Sequence, residues 1–561
     1  MSWQRAATTT TLAGSASSAG YQVQFRQADT PAWFSWLFCL YAVLLGPYLV
    51  WRTVIVNWHV WFGPIIYGAE LYSIFMTLSS LWILHKVQVP IHRPASLTAR
   101  HVDVFIPTYN EPLTVLAMTV HAAKRVRGVG RVLVLDDGNR AEVAQMARRL
   151  RADYFAPEDN RHAKAGNMNN GLAHSTAEFI LCLDADHVPK ARILERTVGY
   201  FDDPRVGFVQ SPQCFHNTGS FVFRRTSKGR WFEQGTFYNV IQPAKNRFNS
   251  AFFVGTSAVI RRSALDSIGG FATGTATEDI HTSLRLHARG WKSVFVPEPL
   301  AFGLEAESLK EFFRQRRRWA AGSLGLLIRS PDSPLRARGL TWQQRLNYVN
   351  ATLAHVLGLQ KVASFLLPVG CVMAVASPVT INWVVASYVL LGFTLLSIGL
   401  TYVFSRGTYH PILTEAYMMA NSVAHISGLW GVIKVQKKFS VSRKLAPKSE
   451  RTWLKVVLWG IVGVAVAGLI RSLDLLATAN GPRARSTMDL VIISLCLIGY
   501  NLISFLWFFG YLIVYERRRA GERRSAAGVA RARKRRWTAL QFSTNVLGLE
   551  KRVENPTGCG F

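Results

Sequence analysis

The chain has 561 residues, 49% of them apolar, and a formal net charge of +32. This length allows a soluble domain beside a membrane region, and the long apolar runs favour an anionic membrane surface over nucleic acid as the partner of the positive charge. The six scattered cysteines indicate neither a disulfide framework nor a zinc site. Residues 1–30 lack the apolar core of a cleavable signal peptide, so they are predicted to be disordered.

Six apolar runs are predicted to be membrane spans, and the first two are each long enough to cross a hydrocarbon core of roughly 30 Å. Two lie within residues 31–88 and four within residues 336–516, which places the polar region between them and both termini on one side of the bilayer. The basic tail, residues 517–561, marks that side as the cytoplasm by the positive-inside rule. A multi-pass protein of the cell (inner or plasma) membrane is therefore predicted. The runs are 33–51, 60–84, 362–377, 383–404, 453–470 and 490–515.

Two polar features interrupt the membrane region. Residues 412–435 mix apolar side chains with Glu415, His425 and Lys434, which favours an interfacial helix over a further span. Glu70 lies inside the second apolar run. An ionisable group there indicates either a functional site or a position near the interface.

The polar region, residues 99–335, has the pattern of an α/β domain. Short β-rich runs at 102–106, 132–135 and 179–183 alternate with helical patterns at 142–150 and 191–199. This alternation predicts a parallel sheet covered by helices. Acidic pairs follow the second and third runs, at the edge where open α/β sheets bind nucleotides.

Polar residues follow the first two strand runs. Thr108, Tyr109 and Glu111 could hold a base and a ribose by stacking and hydrogen bonds, although any strand-to-loop transition can carry such residues. Asp136 and Asp137 reach a tight turn, where a carboxylate can accept a hydrogen bond from a uracil imide. A solvated turn is the alternative.

The next two motifs point to a diphosphate. Lys164 precedes Gly166 and suits a phosphate as a point charge. Asp184 and Asp186 are one residue apart after an apolar run, and such hard oxygen ligands suit Mg²⁺ or Mn²⁺. The ion would neutralise charge that grows on a departing diphosphate.

Glu278 and Asp279 follow a glycine-rich loop and open a helical segment. Asp279 is either a helix cap or the general base that takes a proton from an acceptor hydroxyl. Gln315, Arg318 and Trp319 lie in the next predicted helix, residues 309–328, where residues three and four apart share a face. Arg318 suits a diphosphate, and the flat ring of Trp319 suits a sugar.

With these motifs in this order, the chain resembles the processive family-2 glycosyltransferases, and most of all the cellulose synthase catalytic subunits, over roughly residues 32–444. The resemblance implies an integral membrane α-helical protein with a cytosolic α/β GT-A (Rossmann-like) glycosyltransferase domain. Such enzymes polymerise glucose from UDP-glucose into a β-glucan by a single inverting displacement and pass it through a channel of their own spans. The implied partners are UDP-glucose, the growing β-glucan and the lipid bilayer, and the resemblance also allows a periplasmic or extracellular accessory protein.

The resemblance also implies a role for each motif. Asp137, with Asp136, would contact uridine, Asp184 and Asp186 would bind the diphosphate and the metal, and Asp279 would be the base. A Thr-Glu-Asp motif leans towards glucan rather than hyaluronan or chitin. The whole expected set is Asp279, Glu278 and Asp186 for catalysis; Thr108, Tyr109, Glu111, Asp136, Asp137, Lys164, Asp184, Arg318, Ser442 and Lys444 for the nucleotide sugar; Gln315 and Trp319 for the acceptor; and Asp184 and Asp186 for Mg²⁺ or Mn²⁺.

Residues 439–444 resemble the family's gating loop, Phe-X-Val-Thr-X-Lys, with Ser442 keeping the hydroxyl and Lys444 a charge for phosphate. There are three departures from the family pattern. Val254 stands where bacterial cellulose synthases typically carry cysteine, the glycine after Lys444 is missing, and the roughly 45 residues after the last span are too few for a PilZ domain, so none is expected. A β-1,3-glucan (curdlan-type) or mixed-linkage product therefore stays open.

Two further interpretations stay open. A non-processive, lipid-linked sugar transferase would need the nucleotide and metal motifs but neither the tryptophan platform nor the gating loop. A membrane scaffold or transporter could retain an inactive transferase domain.

Overall fold

The computed structural model describes residues 21–28, 31–94, 97, 100–227, 229–381, 383–433, 453–478 and 484–534. Its strands are β1 (Phe25–Gln27), β2 (Gln88–Pro90), β3 (Val102–Thr108), β4 (Val129–Asp136), β5 (Asp153–Phe155), β6 (Phe179–Cys182), β7 (Val188–Pro189), β8 (Val206–Gln210), β9 (Cys214–Phe215), β10 (Phe223–Thr226), β11 (Gly229–Phe232), β12 (Ala258–Arg261), β13 (Lys292–Phe295) and β14 (Ala301–Gly303). Its helices are α1 (Trp33–Val54), α2 (Phe62–Leu84), α3 (Leu113–Ala123), α4 (Ala141–Arg149), α5 (Ala163–Ala173), α6 (Ile193–Thr197), α7 (Gln242–Lys245), α8 (Arg262–Asp266), α9 (Glu278–Ala288), α10 (Leu309–Ile328), α11 (Trp342–Leu353), α12 (Leu357–Ala374), α13 (Trp383–Phe404), α14 (Pro411–Ile433), α15 (Trp453–Thr478) and α16 (Ala484–Lys534).

A seven-stranded sheet forms the centre of the soluble domain, in the order β13-β8-β12-β6-β3-β4-β5. The pairs β3–β4, β3–β6, β4–β5 and β13–β8 are parallel, as the sequence predicts. All seven residues of β3 are buried, which is expected of a strand covered on both faces. The α/β prediction is therefore confirmed, with the sheet as a buried core.

One strand corrects the prediction of a parallel sheet. Strand β12 runs antiparallel to both of its neighbours, β6 and β8. Its first residue, Ala258, lies opposite Gln210, the last residue of β8. The chain therefore re-enters the sheet at the edge where β8 left it and must run back. Strands β3, β4 and β6 also end at this edge. The segment before β12 therefore lies on the same side of the sheet as their carboxyl ends.

Among the described residues, five helices are long and apolar enough to cross a membrane: Trp33–Val54, Trp342–Ala374, Val384–Phe404, Trp459–Thr478 and Thr487–Tyr515. The chain is thus a membrane protein with a mixed α/β domain. Helix α2, which is the second predicted span, forms but is not among these five. The predicted interfacial segment also forms a helix, α14, and lies outside this group.

Glu70, which lies inside the second predicted span, has its partners in α1. Its carboxylate accepts a hydrogen bond from Nε of Arg52 at 2.8 Å and another from the hydroxyl of Tyr48. Arg52 is 1% exposed. Since Tyr48 and Arg52 lie in α1 and Glu70 lies in α2, these contacts join the first two helices.

Candidate active site

A cavity of about 870 Å³ opens at the carboxyl edge of the sheet and runs towards the apolar helices. Nearly all of the residues that the sequence predicts as site residues line it. They are Thr108, Tyr109, Glu111, Asp137, Lys164, Asp184, Asp186, Glu278, Asp279, Gln315, Arg318 and Trp319. Asp136 lies outside this lining, and Ser442 and Lys444, with the predicted gating loop, lie outside the described residues.

The two aspartates after β4 have different surroundings. Asp136 is fully buried and pairs with Arg140 at 3.0 Å, while its carboxylate also accepts from the backbone N–H groups of Gly138 and Arg140. It therefore holds the turn. Asp137 lines the cavity, and its buried Oδ1 has no hydrogen-bond partner among the described residues. Burial, with the charges of Asp136 and Glu111, raises the pKa of Asp137 to about 7.

The turn after β3 is fastened by its own acidic residue. Glu111 Oε2 accepts from the hydroxyl of Thr108 and from the backbone N–H of Tyr109, both at 2.8 Å. Arg140 also donates to the hydroxyl of Thr108 at 2.8 Å. The side chains of Thr108 and Glu111 thus shape the turn that presents Tyr109 to the cavity.

An acidic cluster follows β6. Asp184, Asp186 and His187 each offer one ligand atom, and these atoms lie within 4.8 Å of one another. Asp186 Oδ2 accepts from the backbone N–H of Leu304 at 3.0 Å, while its Oδ1 lies 3.3 Å from Nδ1 of His187. Two carboxylates and one imidazole form a donor set that fits a hard divalent cation.

Lys164 brings the acidic motifs together. Its Nζ donates to Asp184 Oδ1 at 2.6 Å and to the carbonyl of Gly255 at 2.7 Å, and it lies 3.6 Å from Glu278. Burial lowers the pKa of Lys164, but the carboxylates of Asp184 and Glu278 outweigh it and raise the pKa above its ordinary value. The lysine is therefore a fixed positive charge between the two acidic motifs.

Gly255 makes this close approach possible. Its φ of +88° lies in the left-handed region that favours glycine. A Cβ at this position would stand 3.2 Å from both Asp279 Oδ2 and Lys164 Nζ. The segment before β12 thus brings its backbone against Asp279.

Asp279 lies in the first turn of α9 and accepts a hydrogen bond from the backbone N–H of Ile280 at 2.8 Å. Burial and the adjacent charge of Glu278 raise its pKa to about 7, against the opposing effects of this hydrogen bond, Lys164 and Arg318. A carboxylate with a pKa near neutrality is suited to accept a proton from a hydroxyl group.

Helix α10 has the predicted bounds, residues 309–328, and carries Gln315, Arg318 and Trp319 to the cavity. A glycine in α10 lets it approach the acidic motif of α9. A Cβ on Gly322 would stand 2.6 Å from the side chain of Thr277. The helix can therefore lie directly against the start of α9.

The far end of the cavity is lined by residues of the apolar helices. Asn350, His355 and Leu357 come from the stretch Trp342–Ala374, and Asn421 and His425 come from α14. Oδ1 of Asn421 and Nδ1 of His425 are buried and lack a hydrogen-bond partner in the part of the chain that the structure describes. Polar atoms of this kind suit a ligand with many hydroxyl groups.

Several lining residues were not predicted from the sequence. His187 follows the Asp-X-Asp motif directly and could have been recognised as a third ligand. The others have no local signal, because loops and distant helices bring them to the cavity. They are Gln213, Glu233, Gln234, Tyr238, Lys245, Asn350, His355, Asn421 and His425.

Comparisons with known proteins bear on the family of the chain. Residues 179–402 match the family model described as glycosyl transferase family group 2. The cellulose synthase 1 catalytic subunit [UDP-forming] of Komagataeibacter xylinus is 33% identical over 425 residues, covering 71% of this chain and 55% of that protein. The cellulose synthase catalytic subunit [UDP-forming] of Xanthomonas axonopodis pv. citri is 38% identical over 304 residues, covering 53% and 41%. These matches support a cellulose synthase-like family-2 glycosyltransferase.

The chain spans about half or less of the length of the curated relatives that it matches. Among solved structures, a mannosyltransferase from Pyrobaculum calidifontis is 21% identical with a TM-score of 0.43, covering 64% of this chain and 96% of that one. That likeness is too distant to carry an argument. The GT-A class follows from the family match and the mixed sheet.

Proposed function

We propose that the chain is a processive inverting glycosyltransferase that polymerises glucose from UDP-glucose into a β-glucan and moves it across the membrane. The observation that carries this proposal is the single cavity. It joins the predicted nucleotide and acid–base residues to Trp319 and then to polar residues of the apolar helices. A transferase that adds one sugar to a lipid carrier has no need of a polar passage beyond its acceptor site.

In the proposed transfer, the acceptor hydroxyl at the end of the glucan attacks C1 of the donor glucose. Asp279 takes the hydroxyl proton as the new C1–O bond forms. The bond between C1 and the diphosphate oxygen breaks at the same time, and UDP leaves with the electron pair. Lys164 and Arg318 line this part of the cavity and offset the charge on the leaving group.

Asp184 and Asp186 would hold the divalent cation, with His187 as a candidate third ligand. When bound, Mg²⁺ or Mn²⁺ would stabilise the negative charge of the diphosphate. Lys164 already neutralises Asp184 at 2.6 Å, so it keeps this cluster ready to receive an anionic donor. Asp137 would accept the imide N–H of uracil through its unpartnered oxygen.

The glycosyltransferase domain would face the cytoplasm, where UDP-glucose is made. Asn421 and His425 would then receive the polymer as it leaves Trp319 and enters the membrane region. Each has a buried polar atom suited to sugar hydroxyl groups.

The test uses the full chain in lipid nanodiscs with radiolabelled UDP-glucose and Mg²⁺. We expect label in an insoluble polymer that a β-1,4-specific glucanase dissolves, and no incorporation after EDTA treatment. Dissolution only by a β-1,3-specific glucanase would assign a curdlan-type product. Label confined to an organic-soluble lipid fraction would contradict polymer synthesis.

A further inference from the structure

Arg316 lies inside the Gln-X-X-Arg-Trp motif, yet it has no role in the proposed transfer. It is 3% exposed, although its neighbour Arg314 in the same helix is exposed. A buried arginine is costly unless its charge and its N–H groups are matched. Its partners therefore indicate what it does.

The partners come from three parts of the fold. Nη2 of Arg316 donates to Glu233 Oε2 at 2.6 Å. With the amide of Gln234 turned so that its oxygen faces the guanidinium, that oxygen accepts from Nη2 at 2.7 Å and from Nη1 at 3.0 Å. The other oxygen of Glu233 accepts from Nδ2 of Asn421 in α14 at 3.1 Å. Glu233 and Gln234 directly follow β11, so the network joins α10, α14 and the end of the β10–β11 hairpin.

The guanidinium of Arg316 also lies over aromatic rings. Its Cζ is 4.4 Å from the ring centroid of Trp319 and 4.6 Å from that of Phe312. These residues are three places after and four places before Arg316, so all three share one face of α10. A planar guanidinium is attracted to the face of an indole ring, so the two groups hold each other's orientation. Glu233 and Gln234 hold the guanidinium, and the guanidinium in turn supports Trp319.

We propose that Arg316 is a positioning residue that fixes the plane of the Trp319 ring and thereby places the acceptor sugar for attack. The inference rests on the proposed polymerase function. Glu233 and Gln234 orient the guanidinium, and Asn421 links this arrangement to the helix that lines the polymer end of the cavity. Small misplacements of a reacting group lower the rate of transfer steeply.

Arg316→Lys tests this inference because lysine keeps the charge but has neither the plane nor the fork of the guanidinium. In nanodiscs with UDP-glucose, we would measure the UDP released, the glucose incorporated into polymer and the KM for UDP-glucose. We expect incorporation to fall by about 10- to 100-fold. UDP release should fall less, because water can replace a misplaced acceptor. The KM for UDP-glucose should stay within about twofold, because the partners of Arg316 in the described part of the chain lie outside the predicted nucleotide and metal residues.

Glu233→Gln should change the same ratio of incorporated glucose to released UDP, by a smaller factor. Arg314→Lys is the matched control, and it should leave the ratio at the wild-type value. An unchanged ratio in Arg316→Lys, or a rise in donor KM that accounts for the whole loss, would overturn the inference. If the wild type makes no polymer, the proposed function fails first.

A buried pair can also serve stability alone, so folding needs its own measurement. Replacing Arg316 and Glu233 together by glutamine removes both charges and avoids a lone buried ion. Thermal unfolding would report whether each variant folds. We expect the folded double variant to show the same reduced ratio. Failure of both this variant and Arg316→Lys to fold would make the network a structural one and overturn the positioning role.

Discussion

The surroundings of Asp279 raise the pKa of its carboxyl group to near neutral pH. Burial and the charge of Glu278 raise the pKa of Asp279 to about 7. A base works in its ionised form, and that form declines about tenfold for each pH unit below the pKa. We therefore expect kcat/KM for polymer formation, which reports the groups of the free enzyme, to rise from acid pH to about pH 7 and then to level off. A pH profile at UDP-glucose concentrations well below the KM measures this.

Glu278→Gln removes the negative charge beside Asp279 and should lower the pKa of that carboxylate. The acid side of the profile should then move to lower pH by about one unit. Glu142→Gln, in the first turn of α4 outside the cavity, is the control and should leave the profile in place. If the acid side of the pH–rate profile stayed in place in Glu278→Gln, the titrating group would be one other than Asp279.

Asp137 offers a buried oxygen that lacks a partner in the described part of the chain, directly at the nucleotide end of the cavity. Asp137→Ala removes that acceptor. A hydrogen bond to a charged group contributes about 1.5–3 kcal/mol, so we expect the KM for UDP-glucose to rise by about 10- to 100-fold with little change in kcat. Asp153→Asn, which alters a surface pair with Arg131, should leave the KM unchanged. A fall in kcat at constant KM would contradict a uridine contact.

At this scale, local motifs alone predict side chains that the structure brings to one cavity. The aspartates could be recognised because each pair follows a strand run. Trp319 could be recognised because residues three and four apart share one face of a helix. The sequence could not separate Asp136 from Asp137, because the partners that hold Asp136 include Tyr154, which only the tertiary fold brings to the turn. Glu233 and Asn421 gave no signal, because only the tertiary fold brings them to Arg316.

Among the elements, long periodic helices were predicted best and sheet direction least well. Helix α10 has the predicted bounds, whereas the predicted span 362–377 is the end of an apolar stretch, Trp342–Ala374, that starts twenty residues earlier. Buried polar residues such as Asn347 and Asn350 hid that start from an apolar count. Strand β12 is antiparallel because of a long excursion of the chain, which no local pattern records.

The crossing of α10 and α14 depends on a glycine. A Cβ on Gly428 would stand 2.6 Å from the Cβ of Ala320 and 3.0 Å from the carbonyl of Arg317. Gly428→Ala must therefore separate the helix that carries Trp319 from the helix that carries Asn421. Overpacking of this kind costs about 1–3 kcal/mol, so we expect a lower unfolding temperature and a lower rate of polymer formation.

Gly325→Ala supplies a matched control for that prediction. Gly325 lies in α10, one of the two crossing helices, and a Cβ there would meet nothing within 4 Å. Alanine favours a helix interior over glycine by about 1 kcal/mol. Its unfolding temperature should equal or exceed that of the wild type, and its activity should be retained. Equal behaviour of the two variants in thermal unfolding would show that the crossing tolerates a methyl group.

At the scale of the whole molecule, helices α1 and α2 form a hairpin. The outer ends of the two helices lie at one end of the hairpin, and the turn between them lies at the other. Strand β1 pairs with β2, so the residues before α1 and after α2 lie together beside the glycosyltransferase domain. At the other end, Val56 pairs with Val379, and the N–H of Asn57 donates to Pro378 at 3.0 Å. Helix α1, with 22 residues, is about 33 Å long, enough to cross the hydrocarbon core.

A cytoplasmic domain therefore requires the turn between α1 and α2 to lie outside the cell membrane. In a variant without the native cysteines, His59→Cys places one thiol at an exposed site in that turn. A membrane-impermeant maleimide added to intact cells should label it. Asp153→Cys, an exposed-face position in the α/β domain beside Arg131, should be labelled only after lysis. The reverse pattern would place the donor-binding cavity outside, away from UDP-glucose, and would contradict the proposed direction of synthesis.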